Sequence, residues 1–233
     1  PVYVRRDPPA DPEPARTPET TTVGAPPTRR EPDITPGAEK VSAKAAASMD
    51  WDELEATVNG CRDCTLCETR TQAVFGVGDR DARWMVVGEA PGADEDKQGE
   101  PFVGRAGRLL NSMLEAAGAP RERVYIANIL KCRPPGNRDP QPAEAAACRA
   151  YLDRQIALVR PELILAVGRI AAQNLLHTDT PIGKLRGTVH SLGDTGIPVV
   201  ATYHPAYLLR SPGQKRRAWD DLKLALGVAR PLP

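Results

Sequence analysis

Four short apolar runs, separated by stretches with helical periodicity, are the feature that most constrains the fold of this chain. They cover residues 84–87, 124–129, 163–167 and 199–202. Runs that are apolar throughout are typical of strands buried on both faces, and their alternation with helices is typical of a parallel sheet. The sequence therefore predicts an α/β fold in three layers, α/β/α, around a central, mainly parallel four-stranded sheet.

Helices are predicted between and after these runs. Their spans are 50–59, 106–117, 143–159, 170–176 and 214–226. In the second span, Leu110, Met113 and Leu114 fall on one face, and Gly118 is suited to end the helix. A short alternating stretch punctuated by glycines predicts a hairpin across 185–197.

The first 49 residues differ in composition from the rest. Ten prolines occur in the first 36 positions and large apolar side chains are almost absent, so this segment cannot bury enough surface to offset its ordering entropy. We predict a disordered Pro-rich tail or linker over 1–49, with at most a frayed helical turn at 43–47, and a folded domain over 50–233. The chain begins at Pro1, and a fused region or an unknown partner at this tail is left open.

Hydropathy disfavours a membrane partner, whereas the net charge says little about partners. The 31 Lys and Arg residues balance 30 Asp and Glu residues to a net charge of +1, which indicates no particular partner. No apolar run is long enough to span a bilayer, and no signal-peptide pattern opens the chain. We therefore expect a cytoplasmic monomer without a membrane partner.

Four cysteines form two pairs that are far apart in sequence. Cys61 and Cys64 can bind one metal, and Cys132 and Cys148, which begin roughly 70 residues further on, can complete a four-sulfur site. Spacing alone leaves zinc and an iron–sulfur cluster open, because the second pair is too wide for a zinc knuckle. Inert buried thiols are the ordinary alternative, and disulfides are disfavoured since nothing in the chain is secretory. Cys67 is a fifth thiol near the first pair.

Polar and aromatic residues follow the predicted strands, at the edge where open α/β sheets bind ligands. They include Asn128, His204 and Phe102. Each has an ordinary structural use, since an Asn caps a turn, a His satisfies a backbone group and a Phe anchors a core. Their convergence on one sheet edge favours a binding site. A nucleotide cofactor is disfavoured, because neither a Walker pattern nor Gly-x-Gly-x-x-Gly after a strand occurs.

Four motifs, with the four cysteines in register, resemble family 4 of the uracil-DNA glycosylases. The motifs are GEAPG at 88–92, GEPFVG at 99–104, ANILKCRPP at 127–135 and HPAYLLR at 204–210. The resemblance runs from about residue 61 to residue 226. It implies a monofunctional enzyme that acts on uracil-containing DNA: it flips uracil out, hydrolyses the N-glycosidic bond, leaves an abasic site and begins base-excision repair.

The resemblance also implies a [4Fe–4S] cluster. Its ligands would be Cys61, Cys64, Cys132 and Cys148, and its expected role is structural. Cys67 occupies a position that need not be cysteine in the family.

Roles for the pocket residues follow from the same resemblance. Phe102 stacks on the flipped uracil, while the Asn128 amide can donate to and accept from its Watson–Crick edge. Glu95 forms the wall that excludes the methyl group of thymine, and His204 stabilises the departing uracil anion. Ala90 stands in the uracil pocket where other uracil glycosylases carry an aspartate.

The water-activating residue and the DNA contacts are further candidates. Glu89 and Asn137, with Glu95, are the catalytic candidates that remain. For DNA binding, Leu208, Leu209 and Arg210 resemble the wedge that fills the gap left by a flipped base. Lys215, with Arg216 and Arg217, can contact phosphates. A solvated helix face is the ordinary alternative for Lys215 and the arginines that follow it.

Two other functions stay open at this point. One is a non-catalytic module that holds uracil-containing or abasic DNA in the same pocket. The other is a zinc-stabilised DNA-binding domain. Covalent trapping of the product is disfavoured, because the segment between residues 131 and 148 contains no histidine.

Overall fold

A six-stranded sheet forms the centre of the computed structural model, which describes residues 43–229. In chain order the strands are β1 (Val77–Gly78), β2 (Trp84–Gly88), β3 (Val124–Asn128), β4 (Leu163–Val167), β5 (Val189–Ser191) and β6 (Pro198–Thr202). They lie in the order β1-β3-β2-β4-β6-β5, with four parallel strands in the centre and an antiparallel strand at each edge. The predicted α/β class and the parallel centre are confirmed.

The predicted count of four strands is wrong, because apolar runs do not reveal the two edge strands. β1 has two residues and β5 has three, and their side chains are exposed or half-buried. Neither strand therefore gives a continuous apolar signal. β5 pairs with β6 through Val189 and Val200, so a hairpin is present, and its second strand is the fourth apolar run itself.

Helices cover the sheet. They are α1 (Ala43–Ala46), α2 (Trp51–Gly60), α3 (Ala93–Gln98), α4 (Arg105–Ala116), α5 (Pro142–Val159), α6 (Arg169–Leu176), α7 (Ile182–Leu185), α8 (Pro205–Arg210) and α9 (Lys215–Val228). The five predicted helices are confirmed, with the largest displacement at the end of α9, predicted at residue 226 and observed at Val228. The short helices α3, α7 and α8 were not predicted. Across residues 43–229, no helix combines the length and the apolar character that a membrane span requires.

Alternate residues of each central strand face opposite layers. Met85 and Val87 of β2 pack with Leu152 of α5 on one face. Trp84 and Val86 pack with α4 on the other. Since α6 adds to the first layer and α9 to the second, the three-layer α/β/α arrangement is confirmed.

A smaller core joins α2 to α5. Leu54 and Val58 of α2 pack against Tyr151 of α5. This contact brings Cys61, the residue that ends α2, to the helix that carries Cys148. Two segments far apart in sequence thus meet at the cysteines.

Buried packing begins before residue 50. Ala46 is only 1% exposed, and Arg154 Nε donates to the carbonyl oxygen of Met49 at 2.5 Å. Most of the predicted tail, residues 1–42, lies outside the described residues.

Candidate active site and cysteine site

A cavity of about 840 Å³ opens at the carboxyl end of the parallel strands. The loops after β2, β3, β4 and β6 all contribute to its wall. Every residue predicted for catalysis or for uracil binding lines it: Glu89, Ala90, Glu95, Phe102, Asn128, Asn137 and His204. The structure therefore gathers these residues, which the sequence spreads over more than a hundred positions, into one site.

Gly88, the last residue of β2, allows two of these side chains to meet. A Cβ atom at Gly88 would lie 2.4 Å from Asn128 Oδ1 and 2.6 Å from the Phe102 ring. Asn128 is 2% exposed, and its Oδ1 has no hydrogen-bond partner among the described residues. An acceptor buried without a partner is costly. The amide is thus positioned to receive a donor from a ligand in the cavity.

The loop that carries Phe102 is fixed by its backbone. Phe102 has φ 55°, which is a strained conformation for an aromatic residue. Arg121 Nη2 donates to the carbonyl oxygen of Pro101 at 2.7 Å, and Nη1 donates to that of Phe102 at 3.4 Å. Gly107 permits this path, because a Cβ atom there would lie 1.7 Å from the Phe102 carbonyl oxygen. Arg121 and Gly107 therefore hold the ring in place, and no motif in the sequence identified them.

His204 stands across the cavity from this loop as a neutral donor. Its ring centroid lies 5.7 Å from that of Phe102. Desolvation in the cavity wall lowers the pKa of His204 to about 4, and the positive charge of Arg210 acts in the same direction. Nδ1 accepts a hydrogen bond from the backbone N–H of Ala206 at 3.1 Å. The proton of the neutral ring must therefore reside on Nε2, which makes Nε2 a donor.

Glu95 ties two loops of the cavity together. One carboxylate oxygen accepts the backbone N–H of Gly92 at 3.1 Å, and the other accepts those of Val103 and Gly104, each at 3.0 Å. Both oxygens are thus engaged with the main chain. This geometry makes Glu95 a positioning residue for the loop that carries Phe102.

Glu89 has the electrostatics of an acid–base group. Burial raises its pKa to about 7, the negative charge of Asp139 acts in the same direction, and Arg169 opposes both. Arg169 Nη2 is paired with Asp139 Oδ2 at 2.6 Å. A carboxyl group with a pKa near 7 can exchange a proton at neutral pH. The neighbouring Ala90 contributes no charge.

Asn137 lies in the loop that follows β3, on the exposed rim of the cavity. Its backbone is left-handed, with φ 54°, and its Oδ1 accepts a hydrogen bond from Arg133 Nε at 2.8 Å. The same loop is anchored by Arg138, which forms two hydrogen bonds with the Glu144 carboxylate, at 2.9 and 2.5 Å. Asn137 therefore lines the cavity from a loop that the Arg138–Glu144 ion pair holds in position.

The predicted DNA-binding residues differ in their placement. Leu208 is only 1% exposed, so it belongs to the interior in this structure, whereas Leu209 is 37% exposed. The sequence pattern did not separate these neighbours, because α8 was not predicted there. Arg210 is exposed and lines the cavity, and Lys215 is exposed at the start of α9.

The five cysteines line one small cavity together with Arg70, Lys131 and Tyr151. Cys132 and Cys148 are buried, and the other three are half-buried. Between residues 43 and 229, no group of three or more His, Cys, Asp or Glu side chains is arranged to hold a metal ion. The five cysteines therefore line one cavity, but no three of their sulfurs are placed around a single ion in this structure.

Two cations, Arg70 and Lys131, and one carboxylate, Asp63, line the cavity with these thiols. Arg70 Nη1 donates to Cys132 Sγ at 2.9 Å, and Lys131 lies beside them. Burial raises the pKa of Cys132 to about 11 and that of Cys148 to about 12. Both thiols are thus protonated at neutral pH, and a metal that binds them must displace their protons. Four sulfur donors beside two cations suit a group with negative charge.

Comparison with known proteins agrees with this site. The chain belongs to the uracil-DNA glycosylase superfamily. The model of this family matches residues 75–223.

Within this class the chain is similar to type-4 uracil-DNA glycosylases. That of Archaeoglobus fulgidus is 46% identical over 178 residues, which cover 74% of this chain and 89% of the relative. That of Thermotoga maritima is 46% identical over 162 residues, covering 69% and 83%. A type-5 enzyme from Thermus thermophilus is more distant, with 35% identity over 161 residues and coverage of 55% and 73%.

Proposed function

We propose that this chain excises uracil from DNA as a monofunctional glycosylase. The observation that carries the proposal is the buried Asn128 amide, whose Oδ1 is unpartnered among the described residues, beside the Phe102 ring. An amide offers one acceptor and two donors, which match the N–H and the carbonyl of the uracil edge. Cytosine presents the opposite pattern. Because a base within a duplex cannot reach this cavity, the nucleotide must be flipped into it.

His204 supplies the electrostatic part of the chemistry. Cleavage of the glycosidic bond leaves negative charge on the uracil oxygens. A neutral imidazole with its proton on Nε2 can donate a hydrogen bond to one of these oxygens. This donor is in place before the negative charge develops, and no charge has to be created on the histidine first. The loss of a preorganised donor of this kind typically costs on the order of 10²–10³ in rate.

Glu89 is our choice for the residue that holds or activates water. Its pKa of about 7 leaves a substantial carboxylate fraction at neutral pH. Glu95 is less suited, since both of its oxygens already accept backbone N–H groups. Asn137 has no acid–base function, and we assign it to orienting the water or the sugar from the rim.

For DNA contact we propose Leu209, Arg210 and Lys215. Leu209 is the leucine of the α8 pair that stands on the surface, so it is the one that can fill the gap left by the flipped base. Arg210 and Lys215 are exposed and can approach phosphates.

We further propose that Cys61, Cys64, Cys132 and Cys148 hold a [4Fe–4S] cluster, with a structural role. The support is the shared cavity, the pure sulfur donor set and the adjacent cations. These four residues would hold the group, which would then cross-link the end of α2 to the segment after β3 and to α5. Zinc is the alternative for the same thiols, and the colour of the purified protein distinguishes the two, because a cluster is brown and zinc is colourless.

The decisive experiment offers the protein a single-stranded and a double-stranded oligonucleotide with one uracil, followed by alkaline cleavage at abasic sites. Strand breaks at the uracil are the expected result. Retention of the oligonucleotide without breaks would instead indicate a binding module.

Asn128→Asp sharpens the assignment of the pocket. It should excise uracil more slowly and admit some cytosine, because a carboxylate accepts from the exocyclic amine but cannot donate to a carbonyl. Unchanged uracil excision in this variant would move the recognition residue elsewhere.

A further inference from the structure

Lys131 is a fully buried cation that neither the motifs nor the catalytic assignment explains. It is 1% exposed. Its Nζ donates to the backbone carbonyl oxygen of Asn128 at 2.9 Å and to Gln155 Oε1 at 2.6 Å. Gln155 is held in turn, since its Nε2 donates to the carbonyl oxygen of Phe75 at 2.9 Å and to the Tyr125 hydroxyl at 3.1 Å. The ammonium group is therefore fixed beneath Asn128.

No carboxylate of the described residues forms an ion pair with Lys131. Asp63 lines the same cysteine cavity, where it accepts a hydrogen bond from the Tyr151 hydroxyl at 2.9 Å. A buried ammonium group is expensive unless a negative group is close. The two hydrogen-bond acceptors that it contacts are both neutral.

The other neighbours of Lys131 are sulfurs. It lines the small cavity that contains the cysteines. It directly precedes Cys132 in the chain and shares the cavity lining with Cys132 and Cys148. A metal group held by these sulfurs would keep them as thiolates and would place negative charge beside the ammonium group.

We propose that Lys131 couples the cysteine site to uracil recognition. Its ammonium group is the counter-charge of the thiolate-ligated group, and the same ammonium group holds the Asn128 carbonyl, so that loading of the cysteine site fixes the residue that reads the base. Lys131 is a positioning residue in this scheme and does not touch the substrate. The inference rests on the proposed function, because it takes Asn128 as the reading residue.

Arg70 provides a matched comparison. It is also a cation at the cysteine site, where Nη1 donates to Cys132 Sγ, but its second contact is the carbonyl oxygen of Asn59 at 2.8 Å. Both residues should therefore affect retention of the cluster. Only Lys131 should also affect the affinity for the base at equal loading.

The experiment compares the wild type, Lys131→Met, Lys131→Gln and Arg70→Met, each purified anaerobically. Iron content and the rate of bleaching by a chelator report on the cysteine site. Calorimetry with free uracil reports on the base pocket, and affinities are compared between preparations of equal iron content. Lys131→Gln keeps an N–H donor but removes the charge, so it separates the hydrogen bond from the counter-charge.

Faster bleaching is expected in all three variants. Lys131→Met should in addition weaken uracil binding about tenfold, the equivalent of one lost hydrogen bond to a charged group. Lys131→Gln should lie between Lys131→Met and the wild type, and Arg70→Met should weaken uracil binding less than either. Wild type stripped of iron should bind uracil as weakly as Lys131→Met does.

Several results would overturn the coupling. Wild-type affinity for uracil in Lys131→Met, or in stripped wild type, would remove its basis. An equal loss of uracil affinity in Arg70→Met and Lys131→Met would also overturn it, because it would indicate a general loosening of the fold. If Lys131→Met does not fold, Lys131→Gln decides the same question. A wild type that neither holds iron nor binds uracil would instead defeat the proposed function.

Discussion

The active-site cavity and the cysteine site share the segment 128–132, yet they are built on different physical principles. The cavity is preformed by the backbone, since Gly88 leaves room for Asn128 and Phe102, and Glu95 ties the loops together. The cysteine site holds thiols that burial keeps protonated, next to buried or half-buried cations.

This difference teaches which region depends on a bound group. The loops of the cavity and its neutral histidine are held by main-chain hydrogen bonds without a ligand, and only the Asn128 acceptor awaits a donor among the described residues of its wall. The cysteine site places Arg70 and Lys131 beside thiols that burial keeps protonated, and a bound metal would convert these thiols to thiolates. Predictions for the two regions should therefore differ in kind, with all-or-none loss at the cysteines and graded losses in the cavity.

The largest effect is expected at the cysteines. Cys148→Ser should lose the brown colour and about four irons per chain, the content of one cluster, because one of four ligands is removed. Cys67→Ser is the matched control, and it should keep both, although Cys67 lines the same cavity. Iron analysis and visible absorption make the comparison. Colour retained in Cys148→Ser, or lost in Cys67→Ser, would show that the ligand set is wrongly assigned.

The next effect tests the preformed donor. His204→Ala should slow single-turnover excision of uracil by roughly 10²–10³, while the affinity for uracil-containing DNA changes much less, because the contact strengthens as negative charge develops. His177→Asn is a suitable control: residue 177 ends α6 away from the cavity and has a left-handed backbone that Asn tolerates. A parallel loss of rate and affinity would assign His204 to binding instead.

A smaller, steric effect is expected at Gly88. The Cβ atom in Gly88→Ala would press on Asn128 Oδ1 and the Phe102 ring, so excision should fall about 10–100-fold, as expected for an overpacking strain of about 1–3 kcal/mol. Gly183→Ala is the control, since a Cβ atom there would meet nothing within 4 Å. Activity is measured alongside the melting temperature. Full activity in Gly88→Ala would mean that the cavity adapts, contrary to the preformed arrangement.

The sequence predicts the layers well because the central strands are apolar throughout and the long helices are amphipathic. It fails at β1 and β5, which have too few residues to form a pattern. In the cavity, short sequence motifs contain Asn128, Phe102 and His204 and predict them as site residues. Arg121 and Lys131 act through contacts with backbone carbonyls that are distant in sequence or hidden in the core. No local pattern encodes such contacts, so they required the structure.

The last expected effect is a pH dependence that the cavity alone should show in the wild type, without any substitution. Glu89, with its pKa raised to about 7, is protonated below that pH and charged above it. If its carboxylate activates water, excision should rise about tenfold per pH unit below pH 7 and level off above it. His204 contributes no step in this range, because its pKa of about 4 leaves it neutral.

Two variants test the sign of this dependence. Asp139→Asn removes a charge that raises the pKa of Glu89 and frees Arg169, which lowers it, so the midpoint should move to lower pH. Glu89→Gln should abolish the step and leave a slow, flat profile. Single-turnover rates between pH 5 and 9 measure both. A midpoint that stays at the wild-type pH in Asp139→Asn, or a step that survives in Glu89→Gln, would transfer the role to another residue of the rim.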